Sequence, residues 1–161
     1  MKFCSHKEFF QICLMINAFF VLEKRGYNIG KRLIDEFMAT SGSGRCRNFE
    51  ETAKVIAKVG FKMFLGITAN IVPKDWNKEK DDFILQIDDN PLIPFVELPE
   101  ESKELRYCNM LCGVLRGCLE MVQMRVECEI IKDKLRNDDT TQIKVVLVEK
   151  LQDEIPVGED D

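Results

Sequence analysis

The sequence predicts an α+β fold, a plait-like arrangement in which helices pack on a four-stranded antiparallel sheet in the order αααββαββ. Two patterns support this prediction. In the first 65 residues, and again near residues 105–121, apolar residues recur every three or four positions, which is the period of an amphipathic helix. Elsewhere they form short runs bounded by proline, asparagine and aspartate, as in strands joined by turns. Runs of helices separate from runs of strands are typical of α+β proteins.

Three helices are predicted in the first 65 residues. The first spans Glu8–Lys24 and is ended by Gly26, and the second spans Ile29–Thr40. The third spans Asn48–Leu65: it starts at an asparagine with a glutamate three positions later, which is a capping-box pattern, and Gly66 follows its last turn.

The rest of the chain is predicted to hold four strands and one helix. Two short strands, Phe83–Ile87 and Phe95–Leu98, come first, and nearby prolines confine the second of them to a sheet edge. A helix over Leu105–Met121 follows, and then the strands Arg125–Ile131 and Ile143–Leu151.

The helix at 105–121 contains Gly113 and Gly117, one helical turn apart. Each interior glycine costs roughly 1 kcal/mol relative to alanine. We therefore expect something to approach these glycines closely, either another backbone or a ligand.

Composition indicates one domain, residues 1–161, with an atypical N-terminal helix over 1–25 and an acidic tail over 153–161. Seven cysteines do not form a disulfide framework and are expected to be reduced, as in the cytosol. The single histidine, His6, leaves no Ser-His-Asp or Cys-His machinery. There is no phosphate-binding glycine loop and no paired Cys-x-x-Cys zinc spacing, so we expect no catalysis, metal or nucleotide.

The charge is unevenly distributed along the chain. Residues 1–66 hold 11 basic and 6 acidic side chains, whereas residues 67–161 hold 12 basic and 22 acidic ones. Such an asymmetry can orient a protein between an anionic membrane and a basic partner, or it can be two solvated faces. The basic residues are too sparse for a nucleic-acid binder.

An apolar run over residues 9–22 leaves two alternatives. It is shorter than the roughly 20 residues that span a bilayer, which favours a buried core helix. The other alternative is a protein inserted in a membrane through this run. No signal-peptidase site of the Ala-x-Ala type follows it.

Cys46 is the residue with the most distinctive surroundings. It lies in the loop 41–48, after two glycines and between Arg45 and Arg47. Neighbouring arginines favour the thiolate, which is the form that attacks an acyl thioester. The alternative is an ordinary free thiol in a loop.

The chain resembles the Bet-three subunit of the transport protein particle, TRAPP. The segments that carry the resemblance are 26–37, 44–49, 57–68, 90–99, 107–124 and 155–159. Residues 1–25 lie outside it. The resemblance implies a non-catalytic core subunit that is dimeric and assembles with other small TRAPP subunits. That complex tethers vesicles in ER-to-Golgi transport and supports nucleotide exchange on a Rab GTPase. The implied location is cytoplasmic, peripheral at the Golgi and at ER-derived vesicles.

The resemblance also implies a covalent palmitoyl thioester on Cys46, with Arg45 assisting acylation and possible self-acylation. The acyl chain would lie in an internal hydrophobic tunnel. The residues expected to line this tunnel are Ala57, Gly60, Phe64, Gly113 and Gly117. An alternative function is a free-standing fatty-acyl or lipid-binding protein that uses the same tunnel.

Overall fold

The computed structural model describes residues 6–44, 46–73, 81–98 and 105–151, with side chains from residue 17 onward. It contains a long helix α1 (His6–Thr40), a helix over residues 49–65, a helix α4 (Asn109–Met121) and four strands. The strands are β1 (Asn70–Ile71), β2 (Asp82–Ile87), β3 (Met124–Lys132) and β4 (Thr141–Lys150). They form one antiparallel sheet in the order β1-β2-β4-β3, which confirms the α+β class with helices on a four-stranded sheet.

The first two predicted helices are one helix, α1, so the prediction that Gly26 ends a helix is wrong. Gly26 is helical and packs on α4: a Cβ there would lie 3.1 Å from the amide nitrogen of Val114. Gly30 packs one turn later, where a Cβ would lie 3.0 Å from the amide nitrogen of Cys118. Glycine is needed at these positions of α1 because the backbones of α1 and α4 are in contact there. In the sequence, a glycine needed for close packing cannot be distinguished from one that ends a helix, which is why the prediction for Gly26 failed.

Gly113 and Gly117 complete this contact from the side of α4. A Cβ at Gly113 would lie 2.8 Å from the amide nitrogen of Tyr27, and one at Gly117 would lie 3.2 Å from that of Lys31. The close approach predicted for these glycines is therefore made by another backbone. Since residue numbers increase together along both helices, α1 and α4 run parallel.

The helix over residues 49–65 consists of α2 (Phe49–Val55), a π-helical turn (Ile56–Gly60) and α3 (Phe61–Leu65). Its predicted ends are confirmed. Asn48 accepts a hydrogen bond from the amide of Glu51 at its N-terminus, and Gly66 adopts a left-handed conformation, φ 71°, at its C-terminus.

The segment Phe95–Leu98 is not a strand. Residues 91–95 turn instead, with the amide of Ile93 bonded to the carbonyl of Asn90 and the amide of Val96 bonded to that of Ile93. The prolines at 91 and 94 remove two amide donors, which favours turns over a ladder. The fourth strand is β1, a two-residue pair with β2 that is too short for a sequence pattern.

The core lies between the sheet and α4. Phe83, Leu85 and Ile87 alternate on the inner face of β2, and the inner residues of β3 and β4 continue that face. The residues of α4 that pack on it are Leu111, Cys112, Leu115 and Leu119. In the part of the chain described, no helix has the length and hydropathy needed to cross a membrane.

Candidate functional site

An apolar cavity of about 920 Å³ lies between α1, the helix over 49–65, and α4. Its volume falls in the range of roughly 300–1,000 Å³ that is usual for small-molecule sites. The lining is mostly aliphatic and aromatic. It includes Leu33, Ile34 and Phe37 of α1, Ile56, Phe61 and Phe64 of the second helix, and Met110, Val114, Leu115 and Cys118 of α4. Such a lining can solvate an alkyl chain. The charged residues that line the cavity are Arg47 and Lys150.

Cys46 lies in the lining of this cavity and is half-buried. Its position follows from the way the loop enters α2. The amide of Arg47 donates to a Glu51 carboxylate oxygen at 2.7 Å, and the Glu51 amide donates to the Asn48 side chain at 2.8 Å. This reciprocal cap fixes the backbone immediately after Cys46. Ser43 and Gly44, before it, also line the cavity.

The other residues assigned to the site from the sequence fall in different places. Gly60 and Phe64 are in the cavity lining. A Cβ on Gly60 would be 4.0 Å from both Phe37 Cε2 and the Val55 carbonyl oxygen, so there is room for a methyl group, and larger side chains would extend toward Phe37. Arg45 lies outside the described residues.

Ala57, Gly113 and Gly117 do not belong to this cavity lining. Ala57 is 1% exposed, and its carbonyl accepts a hydrogen bond from the Ala69 amide at 2.9 Å. The two glycines face the backbone of α1, which fills the space that they leave. The sequence left a backbone and a ligand as alternatives for Gly113 and Gly117, because a glycine that makes room for a ligand has the same sequence signal as one that makes room for a helix.

Cys108, Cys112 and Cys128 have surroundings different from those of Cys46. Burial raises the pKa of Cys108 and of Cys112 to about 12, and both side chains are fully buried. Burial also raises the pKa of Cys128 well above its usual value. These thiols stay protonated at neutral pH and are poor nucleophiles.

Cys118 is a second thiol in the cavity lining, and no sequence pattern predicted it there. Its thiol donates to the carbonyl of Gly30 at 3.2 Å, and burial raises its pKa to about 11. Cys118 follows Val114 by four positions, so both side chains lie on the same face of α4. This spacing is the one sequence feature that could have placed Cys118 in the cavity lining. Cys118 therefore serves as part of the apolar wall.

Among the described residues, no group of three or more histidine, cysteine, aspartate or glutamate side chains could hold a metal ion. Fold and site together define a class: an α+β protein whose helices line an apolar cavity, with a loop cysteine among the lining residues.

Comparison with known proteins gives the family. The model of the transport protein particle (TRAPP) component family matches residues 8–146, and the chain belongs to this family, in its subunit 3 or Bet-three branch. The resemblance inferred from the sequence motifs is thereby confirmed. The match begins at residue 8, so it includes most of the segment 1–25 that the motifs did not cover.

Two curated relatives and one solved structure show how similar the chain is to known members. The trafficking protein particle complex subunit 3 of Dictyostelium discoideum is 61% identical over 140 residues, which are 86% of this chain and 74% of that protein. The complex subunit BET3 of Saccharomyces cerevisiae is 51% identical over 140 residues, 86% and 72% of the two chains. The crystal structure of subunit 3 from Naegleria fowleri, covalently bound to palmitic acid, superposes with a TM-score of 0.78 at 50% identity, covering 86% of this chain and 84% of that one.

Proposed function

We propose that this chain is a non-catalytic core subunit of the TRAPP vesicle-tethering complex and that it carries a palmitoyl group as a thioester on Cys46, with the alkyl chain inside the cavity. The observation that carries the proposal is a half-buried thiol in the lining of an apolar cavity of about 920 Å³. The palmitic acid bound covalently to the similar Naegleria fowleri protein supports the same chemistry here.

The covalent step is a thioester exchange. The Cys46 thiolate attacks the carbonyl carbon of an acyl thioester, the new S–C bond forms, and the donor's thiolate leaves and takes up a proton. No oxidant or metal is required. We propose that Arg45 assists this attack and that the chain acylates itself in this way.

Burial of the acyl chain in the cavity would contribute substantially to the stability of the folded protein. Burying about fifteen methylenes at ~0.8 kcal/mol each contributes on the order of 10 kcal/mol. This is comparable to the net stability of a whole domain. A chain buried in this way cannot also insert into a membrane, so membrane association of the protein would depend on its partners and surface.

Assembly is the proposed mode of action. We propose that the chain forms homodimers and binds other small TRAPP subunits, and that the assembled complex supports nucleotide exchange on a Rab GTPase at Golgi and ER-derived membranes. Exposed apolar side chains on α1 support an assembly surface: Phe20 is 61% exposed and Val21 is 44% exposed. The acidic tail over 153–161 is proposed to reach toward the GTPase.

Intact-mass measurement tests the acylation. Protein purified from a eukaryotic host should carry an added mass of one palmitoyl group that hydroxylamine removes, and the Cys46→Ser variant should lack it. An unmodified wild-type protein that is stably folded would refute acylation at Cys46.

A pair of Gly60 variants tests the location of the alkyl chain. Gly60→Leu should lose most of the acyl group, because its side chain would extend toward Phe37 inside the cavity. Gly60→Ala, the matched control, should keep it, because a methyl group has 4.0 Å of clearance. Full occupancy in Gly60→Leu would place the alkyl chain elsewhere.

Co-purification separates the tether subunit from a free-standing lipid carrier. The tagged chain should retain other small TRAPP subunits through size-exclusion chromatography at normal cellular abundance. A monomer that carries fatty acid and retains none of them would support the carrier instead.

A further inference from the structure

The turn over residues 90–98 presents an aromatic side chain to solvent. Phe95 is 92% exposed, more than any other large hydrophobic side chain in the described part of the chain. Seven of the eight residues from 91 to 98 are apolar, and none of the eight is buried. An apolar segment of this length at the surface is typical of a site that binds a partner.

The turn is fixed from its inner side. The buried side chain of Asn90 accepts a hydrogen bond from the Leu92 amide at 3.1 Å and donates one to the sulfur of Cys108 at 3.3 Å. The amide of Val96 bonds to the carbonyl of Ile93 at 2.9 Å. Leu92 and Ile93 pack on the core, and Leu92 also lines the cavity. An aromatic ring on a turn fixed in this way loses little conformational freedom when it binds, which favours it as an anchor.

The charges along this segment identify the kind of partner. Asp88, Asp89 and Glu97 are acidic, and no basic residue lies between positions 88 and 98. Lys134 offsets one of these charges, because its ammonium lies 3.3 Å from an Asp89 carboxylate oxygen. An anionic membrane would repel a segment that is net negative, and two copies that met through the same turn would bring like charges together. The charges therefore favour a different protein, with an apolar pocket bordered by lysine or arginine.

We infer that the turn over residues 90–98 is the docking site for a different subunit of the assembly, with the Phe95 ring in an apolar pocket of that subunit. Basic side chains at the border of the pocket face Asp89 and Glu97. This inference rests on the proposed assembly with other small TRAPP subunits and assigns one contact of that assembly to this turn. Withdrawing the exposed ring from water drives the contact, and the charges orient it.

The test is the binding of individual small TRAPP subunits to the full-length chain. Wild type, Phe95→Ala and the control Val148→Ala are expressed with a tag in the same eukaryotic host, and the subunits that each retains are identified by mass spectrometry and titrated. Val148 is 51% exposed on β4, so its variant also removes exposed apolar surface. Phe95→Ala should bind one of the subunits about thirtyfold more weakly, as expected when an aromatic anchor is removed. Val148→Ala should bind all of them as wild type does.

Charge reversal tests the chemistry of the partner. Glu97→Lys should weaken binding of the same subunit, and added salt should weaken binding by wild type but strengthen binding by this variant. Wild-type binding of every subunit by Phe95→Ala would overturn the docking site and leave the assembly intact. The docking site would also be overturned if Phe95→Ala instead lost self-association, or lost binding to vesicles of phosphatidylcholine and phosphatidylserine. A wild-type chain that retains no TRAPP subunit would overturn both the docking site and the assembly.

Discussion

Replacing Gly113 with alanine tests the close packing of α1 against α4. A Cβ at this position would lie 2.8 Å from the amide nitrogen of Tyr27 and closer still to the carbonyl oxygen of Glu23. Ordinary contacts of a Cβ begin at 3.4 Å. The clash is with backbone on the facing helix, so α1 and α4 must separate by more than half an ångström.

Two opposing effects determine the magnitude. Alanine in a helix interior is favoured over glycine by roughly 1 kcal/mol. Overpacking that forces a backbone shift costs about 1–3 kcal/mol, and here it also weakens the partly buried ion pair between Arg116 and Glu23 and the hydrogen bond from Tyr27 to Glu120. We expect a net loss of up to about 2 kcal/mol in the free energy of unfolding.

Urea denaturation followed by circular dichroism measures this loss, with Gly60→Ala as the matched control. Gly60 is also helical, but a Cβ there has 4.0 Å of clearance, so alanine should stabilise the protein by about 0.5–1 kcal/mol. If Gly113→Ala stabilises the protein as much as Gly60→Ala does, the close contact of α1 with α4 is refuted.

Two further predictions concern stability. Cys108 and Cys112 hold their protons to a pKa of about 12 when folded, against an ordinary value of 9.0, so the unfolded chain ionises first and stability falls as the pH rises above about 9. Each thiol should lower the free energy of unfolding by about 1.4 kcal/mol between pH 8 and pH 10. In urea titrations over this range, the stability of the Cys108→Ala/Cys112→Ala variant should fall correspondingly less than that of the wild type. Equal decreases in stability would contradict the raised pKa values. Asn48→Ala removes the cap of α2 and should cost about 1 kcal/mol, while Asn48→Asp should cost much less; equal costs would show that the cap does not contribute.

The sequence predicted the fold class because hydrophobic periodicity and turn residues are local signals. Asn48 and Gly66 bound a helix through their own conformations, so both ends of that helix were predictable. The conformations of Gly26 and of the segment Phe95–Leu98 were not predictable in this way. Whether a glycine ends a helix depends on whether another helix passes beside it, and an apolar run becomes a strand only where a neighbouring strand is free to pair.

The candidate site was also predictable only where it depends on local sequence. The glycines and arginines around Cys46 distinguished it from the other cysteines in the sequence. The family resemblance led to the predictions that Cys46 carries an acyl chain and that Gly60 lines its binding site. Which side chains line the cavity depends on the angle and separation of three helices, which no local pattern encodes. For that reason Cys118, Leu92 and Met110 are found only in the folded structure, and Gly113 and Gly117 belong to the helix contact.

The central claim is that the acyl chain on Cys46 lies inside the protein as part of its core. Thermal unfolding before and after hydroxylamine treatment tests it most directly, with Cys46→Ser treated in parallel as the control. Burial worth on the order of 10 kcal/mol predicts that removing the chain lowers the Tm by more than about 10 °C in wild type and leaves Cys46→Ser unchanged. The same Tm for the acylated and deacylated wild type would show that the chain lies outside the cavity.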